Sequence, residues 1–356
     1  MSDRFFEGKT VVITGGTGSL GKVLTRRLLS GSEGTPKKII IFSRDEAKQH
    51  FMRVAYQQKN KVTDEIIYNN FAQLLEFRIG DVRSFASVAA AIKTADVVIN
   101  AAALKQVPSC EYFPEEAVQT NIWGAENIVR AIREYNLAVE VVVGVSTDKA
   151  CKPVNVMGMT KALQERVLIA GNITVPTTRF ICVRYGNVLA SRGSVIPLFH
   201  EQIKNGGPVT ITTEEMTRFL LPLERAVDTI IAALEQARPG EIFVPRIPAA
   251  RIIDVARALI SQLSVEIVIT GIRPGEKVHE IMVSDEEAWR TYPRGDYYAI
   301  RPMLPELIVA AEAKNPLMVE YSSASNLLSL QETCLLLTTH NLLLSNELHE
   351  DGELLR

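Results

Sequence analysis

From Lys9 to about Val188, short runs of β-branched residues alternate with segments of helical periodicity. The runs are KTVVIT, KKIIIFSR, EFRIGDV, ADVVINAAA, EVVVGVST and RFICVRYGNV. Their near-continuous Val and Ile content is what strands covered on both faces require, so they predict six buried strands of a parallel sheet. The intervening segments carry apolar residues three and four apart, as at Leu20, Val23, Leu24 and Leu28, the stripe of a helix that packs on a sheet. Together they predict an α/β fold, a Rossmann-like doubly wound parallel sheet. After Val188 the rhythm shortens, with turn signals at Asn205-Gly206-Gly207-Pro208, Arg238-Pro239-Gly240 and Arg273-Pro274-Gly275.

The expected division is a dinucleotide-binding domain over 1–188, joined by 224–240, whose helix returns to it, and a segment 189–321 that is mostly a smaller α/β substrate lobe. A C-terminal segment, 322–356, contains QETCLLLTTHNLLL, whose apolar positions suit a docking helix. The length of 356 residues accommodates two such units.

Composition narrows the class. Apolar residues make up 47% of the chain and 39 basic side chains face 41 acidic ones, which is globular and nearly neutral. A net charge of -2 argues against a general nucleic-acid or anionic-membrane binder, so affinity for phosphate has to come from a local set of donors. Cys110, Cys151, Cys182 and Cys334 form no C-x-x-C pair and predict a reducing, cytoplasmic setting. The start MSDRFFEGKT has no signal-peptide pattern, and no run reaches the roughly 18 apolar residues of a membrane span. The histidines form no ligand cluster, and no metal site is expected.

The first run ends in Thr14-Gly15-Gly16-Thr17-Gly18-Ser19-Leu20-Gly21, with a helix starting at once. Glycines at 15, 18 and 21 permit a tight turn, close approach of backbone to a diphosphate, and close helix packing, so this stretch is expected to bind a dinucleotide. The second run ends Ser43-Arg44-Asp45. Ser43 and Arg44 favour the 2′-phosphate of NADP, while Asp45 keeps NAD possible. Asp81 and Val82 after the third run, and Ala101 and Ala102 after the fourth, are expected near the adenine and along the cofactor. The fifth run ends Ser146-Thr147-Asp148-Lys149, and a helix beginning near Asn155 carries Met157 and Lys161 one turn apart. This spacing matches the Tyr-x-x-x-Lys of a short-chain dehydrogenase site, with Met157 in the tyrosine's place. A thioether has no proton to give or take.

The chain resembles the extended short-chain dehydrogenase/reductases, and within them the soluble UDP-N-acetylglucosamine 4,6-dehydratases, over about residues 5 to 325. The resemblance rests on TGGTGSLG, IFSRDEAKQ, NAAALKQVPSCEYFPEEAVQTN, STDKACKPVNVMGMTK, RYGNVLASRGSVIPLF, MTRFLL, GEIFVPRIP and GIRPGEKVHE, in that order. It implies a lyase for surface-polysaccharide or glycan synthesis that makes a UDP-2-acetamido-2,6-dideoxy-4-hexulose, with inversion at carbon 5. In that chemistry carbon 4 gives a hydride to NADP, Lys149 takes the carbon 5 proton, Asp148 protonates the departing carbon 6 hydroxyl, and the hydride returns to carbon 6. Asp148 would then be protonated and Lys149 neutral at working pH.

The proton on the carbon 4 hydroxyl has three candidate acceptors: Lys161 through a relay, Thr147, or the Asp148-Lys149 pair serving twice. The favoured one is a Lys161 relay with Ser146 or Thr147 orienting the hydroxyl. By resemblance Lys105, Asn187, Arg192, Arg218 and Arg273 bind substrate, the last two at the diphosphate, with Glu276 near the ribose and Ser194, Val195 and Pro197 near uracil. Relatives assemble as dimers to hexamers. Two alternatives stay open: a UDP-sugar 4-epimerase, disfavoured by Asp148 and Lys149, and a protein that binds NADP and UDP-sugar without catalysis.

Overall fold

The structure, a computed structural model, describes residues 4–59, 71–189, 194–308 and 315–343. Strands β1 (Thr10–Thr14), β2 (Lys38–Ser43), β3 (Leu75–Ile79), β4 (Val97–Asn100), β5 (Val141–Thr147) and β6 (Arg179–Tyr185) run parallel in the order β3-β2-β1-β4-β5-β6. Val11, Val12, Ile13, Ile39, Ile40 and Ile41 are wholly buried, because helices cover both faces. Helices Ser19–Leu29 and Leu223–Gln236 pack together on one side. Helices Phe85–Ile92, Gly124–Tyr135 and Val156–Thr174 make up the other group.

The chain then adds β7 (Val209–Ile211), β8 (Thr217–Phe219), β9 (Ile242–Pro245), β10 (Ala249–Arg251), β11 (Ile267–Ile269), β12 (Ile281–Val283), β13 (Thr291–Arg294), β14 (Tyr297–Ile300) and β15 (Tyr321–Ser322). Two expectations change here. The large sheet has nine strands and is mixed, since β9 joins β6 in parallel while β14 and β13 follow antiparallel. The segment 189–321 is therefore not one lobe: 242–245 and 291–300 belong to the main sheet. The hairpin closes through Gly295 and Asp296, with Gly295 at φ +58°, and its Tyr297 and Ile300 bury against β9.

What remains of the smaller unit is three two-stranded sheets, β8 with β10, β7 with β11, and β12 with β15. A second core built on Ile196, Phe199, Leu220, Ile253 and Leu259 holds it together. The C-terminal helix Leu330–Thr339, opened by a Ser329/Glu332 capping box, buries Leu337 in that core and packs on the helix Ile252–Ile260. The tail beyond residue 343 lies outside the described residues. No helix among the described residues is long and apolar enough to cross a membrane.

Candidate active site

A cleft of about 1880 Å³ lies at the carboxyl ends of β1 to β6 and is closed on its far side by β8 and the loop 273–280. Ligands of open α/β sheets bind at this edge. Gly15, at φ +65°, hands β1 over to the helix Ser19–Leu29, and a Cβ there would sit 2.8 Å from the Ala102 Cα. A Cβ on Gly21 would sit 2.3 Å from the Gly16 carbonyl oxygen, so only glycine lets the helix lie this close to the turn. The N-cap Gly18 offers no side-chain acceptor, which leaves first-turn N–H groups for an anion. Gly15, Thr17, Gly18, Ser19, Leu20 and Gly21 line one arm of the cleft, with Ser43, Arg44, Asp81, Val82, Ala101 and Ala102. These residues fit a dinucleotide.

At the end of that arm the Ser43 hydroxyl lies 3.3 Å from the Thr17 hydroxyl and 3.2 Å from Gln49 Nε2. Asp45 is turned to its own helix. Its carboxylate pairs with Lys48 at 2.5 Å and accepts from the Lys48 amide at 2.9 Å, and both contacts hold it below the usual carboxylate range. Asp81 is likewise gripped by Arg83, at 2.7 and 2.9 Å.

The other arm holds the charged groups. After β5 the chain turns through a short 3-10 segment, Asp148–Ala150, capped by Thr147. Asp148 is fully buried. Its Oδ1 accepts from Thr147 Oγ1 at 2.9 Å and from Lys149 Nζ at 3.1 Å, while its Oδ2 is buried with no partner. Burial pushes this carboxyl up, in agreement with an acid that keeps its proton.

Lys149 departs from the expectation of a neutral amine. Its Nζ donates to Asp148 and to Asn187 Oδ1 at 3.0 Å, and forms an ion pair with Glu280 Oε1 at 3.1 Å. Burial acts to lower its proton affinity, but the two carboxylates overcome that and hold it above the usual lysine value. In the free protein Lys149 is an ammonium.

Lys161 lies in the same cleft, buried, with Nζ donating to the Val145 carbonyl and to Gln164 Oε1, each at 2.6 Å. Burial pulls it down to about 8. Met157 is buried one turn earlier and packs with Cys110, Ala117 and Leu104 while lining the cleft. Thr147 also lines the cleft. Ser146 lines it too, but its hydroxyl donates to Glu165 at 2.6 Å, into a buried network with Arg184. That hydrogen bond occupies the Ser146 proton, as the bond to Asp148 occupies that of Thr147, and each hydroxyl oxygen can still accept.

Of the expected substrate contacts, Lys105, Asn187, Ser194, Val195, Arg218, Arg273 and Glu276 all line the cleft. Ser194 Oγ and Glu276 Oε2 are buried there without partners, as ligand-facing polar atoms would be. Arg218 is locked by the carbonyls of Thr217, Lys277 and Val278 at 2.7 to 3.1 Å. Pro197 is exposed on the helix Val195–Lys204 and does not line the cleft, because two residues of helix turn it to the face opposite Val195. Arg192 lies outside the described residues.

Residues 11–302 match the family model described as polysaccharide biosynthesis protein. The chain belongs to this family. Its sheet, glycine turn and cleft are those of an extended short-chain dehydrogenase/reductase. Two similar proteins bear different names. A UDP-glucose 4-epimerase of Rickettsia conorii is 45% identical over 94% of this chain and 96% of its own length. A UDP-N-acetylglucosamine 4,6-dehydratase (inverting) of Campylobacter jejuni is 43% identical over 84% of each. Among solved structures, Pen from Bacillus thuringiensis superposes with a TM-score of 0.84 at 33% identity, covering 96% of this chain and all of that one.

Two polar residues of this family member escaped the sequence reading. Asn121 donates to the Leu104 carbonyl at 3.0 Å and to Thr160 Oγ1 at 2.9 Å, pinning the loop after β4 to the helix that carries Lys161. Glu280, the last residue of GIRPGEKVHE, meets Lys149 from the opposite wall. The motif was visible, but only the folding of 273–280 back over β5 shows what its final carboxylate touches.

Proposed function

We propose that the protein is a nucleotide-sugar 4,6-dehydratase acting on UDP-N-acetylglucosamine and forming a 4-keto-6-deoxy product with inversion at carbon 5. The observation that carries this reading is Asp148: a wholly buried carboxyl, raised by burial, with one oxygen unpartnered and an amine 3.1 Å from the other. An acid for a departing hydroxyl and a base for a carbon-bound proton have to stand side by side, and this pair does. The named dehydratase relative supplies the sugar and the stereochemical sense.

A bound nicotinamide dinucleotide would take the carbon 4 hydrogen with its electron pair and return it to carbon 6. The chain's own residues do the rest. Asp148 gives its proton to the carbon 6 oxygen. Lys149, once relieved of its extra proton, takes the one on carbon 5. Lys161, with its affinity lowered to about 8, relays the proton of the carbon 4 hydroxyl, and Thr147 or Ser146 orients that hydroxyl by accepting from it. Arg273 and Arg218 attract the diphosphate, and Ser194 and Glu276 meet the nucleoside. Arg44 on the open rim and the self-capped Asp45 favour NADP over NAD.

The Rickettsia name favours a second reading, a 4-epimerase. Epimerisation at carbon 4 needs no acid at carbon 6, and Asp148 would then be a buried carboxyl without a task. Incubating the protein with UDP-N-acetylglucosamine in deuterated water decides between them. Dehydration predicts loss of one water and deuterium at carbon 5, whereas unchanged product mass would establish the epimerase.

A further inference from the structure

Glu280 comes from the loop before β12 and has no assigned part in the chemistry. Its Oε1 lies 3.1 Å from Lys149 Nζ, the distance at which Asp148 Oδ1 approaches the same nitrogen. One ammonium thus serves two carboxylates, and both are buried almost completely. Each also has a second oxygen, Asp148 Oδ2 and Glu280 Oε2, with no partner at all. Two buried carboxylates compete for the one ammonium between them, and a proton that the group retains rests on the carboxyl with fewer other cations around it.

The neighbours decide which. Around Glu280 stand Lys149, the Arg218 guanidinium from β8 at 3.8 Å, and Lys277 from its own loop. Around Asp148 stand Lys149, the Thr147 hydroxyl and Glu280 itself, and Lys277 acts on Asp148 less than on Glu280. The cations gather on Glu280.

We propose that Glu280 is a positioning residue that takes over Lys149 as its ion-pair partner and so keeps Asp148 protonated as the acid. This rests on the dehydratase reading. Without Glu280, Asp148 and Lys149 would be a one-to-one ion pair and the acid would be spent before substrate arrived. Electrostatics point the same way: Glu280 is held below its usual range by Lys149 and Arg218 against the effect of burial, and its charge adds to burial in raising Asp148.

The test is Glu280→Gln, which keeps shape and removes charge, with Glu280→Asp as the rescue. Carbon-13 NMR of labelled aspartate, assigned through Asp148→Asn, reads the titration of Asp148 directly in the full chain without substrate. In Glu280→Gln that titration moves to lower pH, leaving Asp148 about tenfold less protonated at neutral pH, and Glu280→Asp restores it. Turnover of UDP-N-acetylglucosamine by Glu280→Gln falls with it and recovers on acidification, because activity requires Asp148 protonated, while affinity for UDP stays within about threefold. An Asp148 titration unmoved by Glu280→Gln overturns the proposal. A wild-type protein that yields no dehydrated sugar overturns the dehydratase reading instead, and the NMR titration still decides the role of Glu280.

Discussion

Among the described residues two buried clusters each set a pair of carboxylates about a central cation, and they have opposite characters. In one, Glu165 and Glu287 flank Arg184 behind β5. The guanidinium gives Glu165 two contacts at 3.0 and 2.7 Å and Glu287 two at 2.7 and 3.1 Å, and donates also to the Met282 carbonyl at 2.8 Å. Ser146, the Ser284 amide and Arg290 supply the remaining hydrogen bonds. In the other, Asp148 and Glu280 share Lys149, and one oxygen of each is left over. A planar fork of five N–H donors can saturate two carboxylates, whereas three ammonium protons, one of them given to Asn187, cannot. The saturated cluster fixes the fold. The unsaturated one, facing the cleft, keeps proton affinities adjustable.

The sharpest way to break this comparison is to disarm the unsaturated cluster. Asp148→Asn with Lys149→Ala should lower dehydration by about 10⁴-fold, about 5.4 kcal/mol of transition-state stabilisation. Stability should fall by about 1–3 kcal/mol, because Lys149→Ala leaves buried Glu280 with the more distant Arg218 as its ion-pair partner. Product formation by mass spectrometry and thermal unfolding check the two halves. A double variant that turns over normally would move the chemistry elsewhere.

The saturated cluster should respond chiefly in stability. Arg184→Leu strips Glu165 of its ion-pair partner and leaves Glu287 with Arg290 alone, and it should cost about 3–5 kcal/mol of stability, read by denaturant unfolding. Acid should find the same weakness. Glu287 is pulled down to about 2 by Arg184, against burial and from an ordinary value of 4.5. A carboxylate lowered on folding stabilises the fold above its unfolded value, and that contribution is lost as pH falls from about 4.5 towards 2. Glu287→Gln should therefore flatten the unfolding midpoint across that window, and an unchanged pH slope would contradict the pairing.

How far the sequence disclosed this arrangement depended on range. The strands β1 to β6 were legible because burial on both faces leaves continuous Val and Ile runs, and the glycine turn because its backbone admits no Cβ at Gly15 or Gly21. Asp148 and Lys149 were found as neighbours at a strand end. Glu280 was not, since only tertiary packing brings its loop across the cleft. The Ser146 to Glu165 hydrogen bond was hidden for the same reason. The β13-β14 hairpin was different: two β-rich runs around Gly295-Asp296 are a recognisable signal that went unread.

Lys161 sharpens the contrast from a third position. It is a buried cation hydrogen-bonded to a carbonyl and an amide rather than to a carboxylate, and burial brings it to about 8 against the pull of Glu165. An ammonium cannot accept the carbon 4 hydroxyl proton, so a relay through Nζ makes turnover rise with pH through about 8. Lys161→Ala should lower turnover about a hundredfold, about 2.7 kcal/mol, and erase that rising limb in a pH–rate profile. Loss of the rate with the limb intact would reduce Lys161 to holding the cofactor.

The smallest effect belongs to Met157, and it tests where proton chemistry resides. Met157 holds the place that a tyrosine takes in the dehydrogenase pattern, yet it packs with Cys110, Ala117 and Leu104 as core does. A thioether moves no proton, so Met157→Leu, nearly equal in volume, should cost less than about 1.5 kcal/mol in stability and leave turnover within about threefold. Met157→Tyr should gain nothing, since the larger ring crowds the same three residues while Lys149, Asp148 and Lys161 already provide every transfer. Were Met157→Leu to slow the carbon 4 oxidation a hundredfold, measured by pre-steady-state absorbance of the reduced cofactor, shape at this position would matter to the hydroxyl's approach. The division between a strand end that moves protons and a helix face that only packs would then not hold.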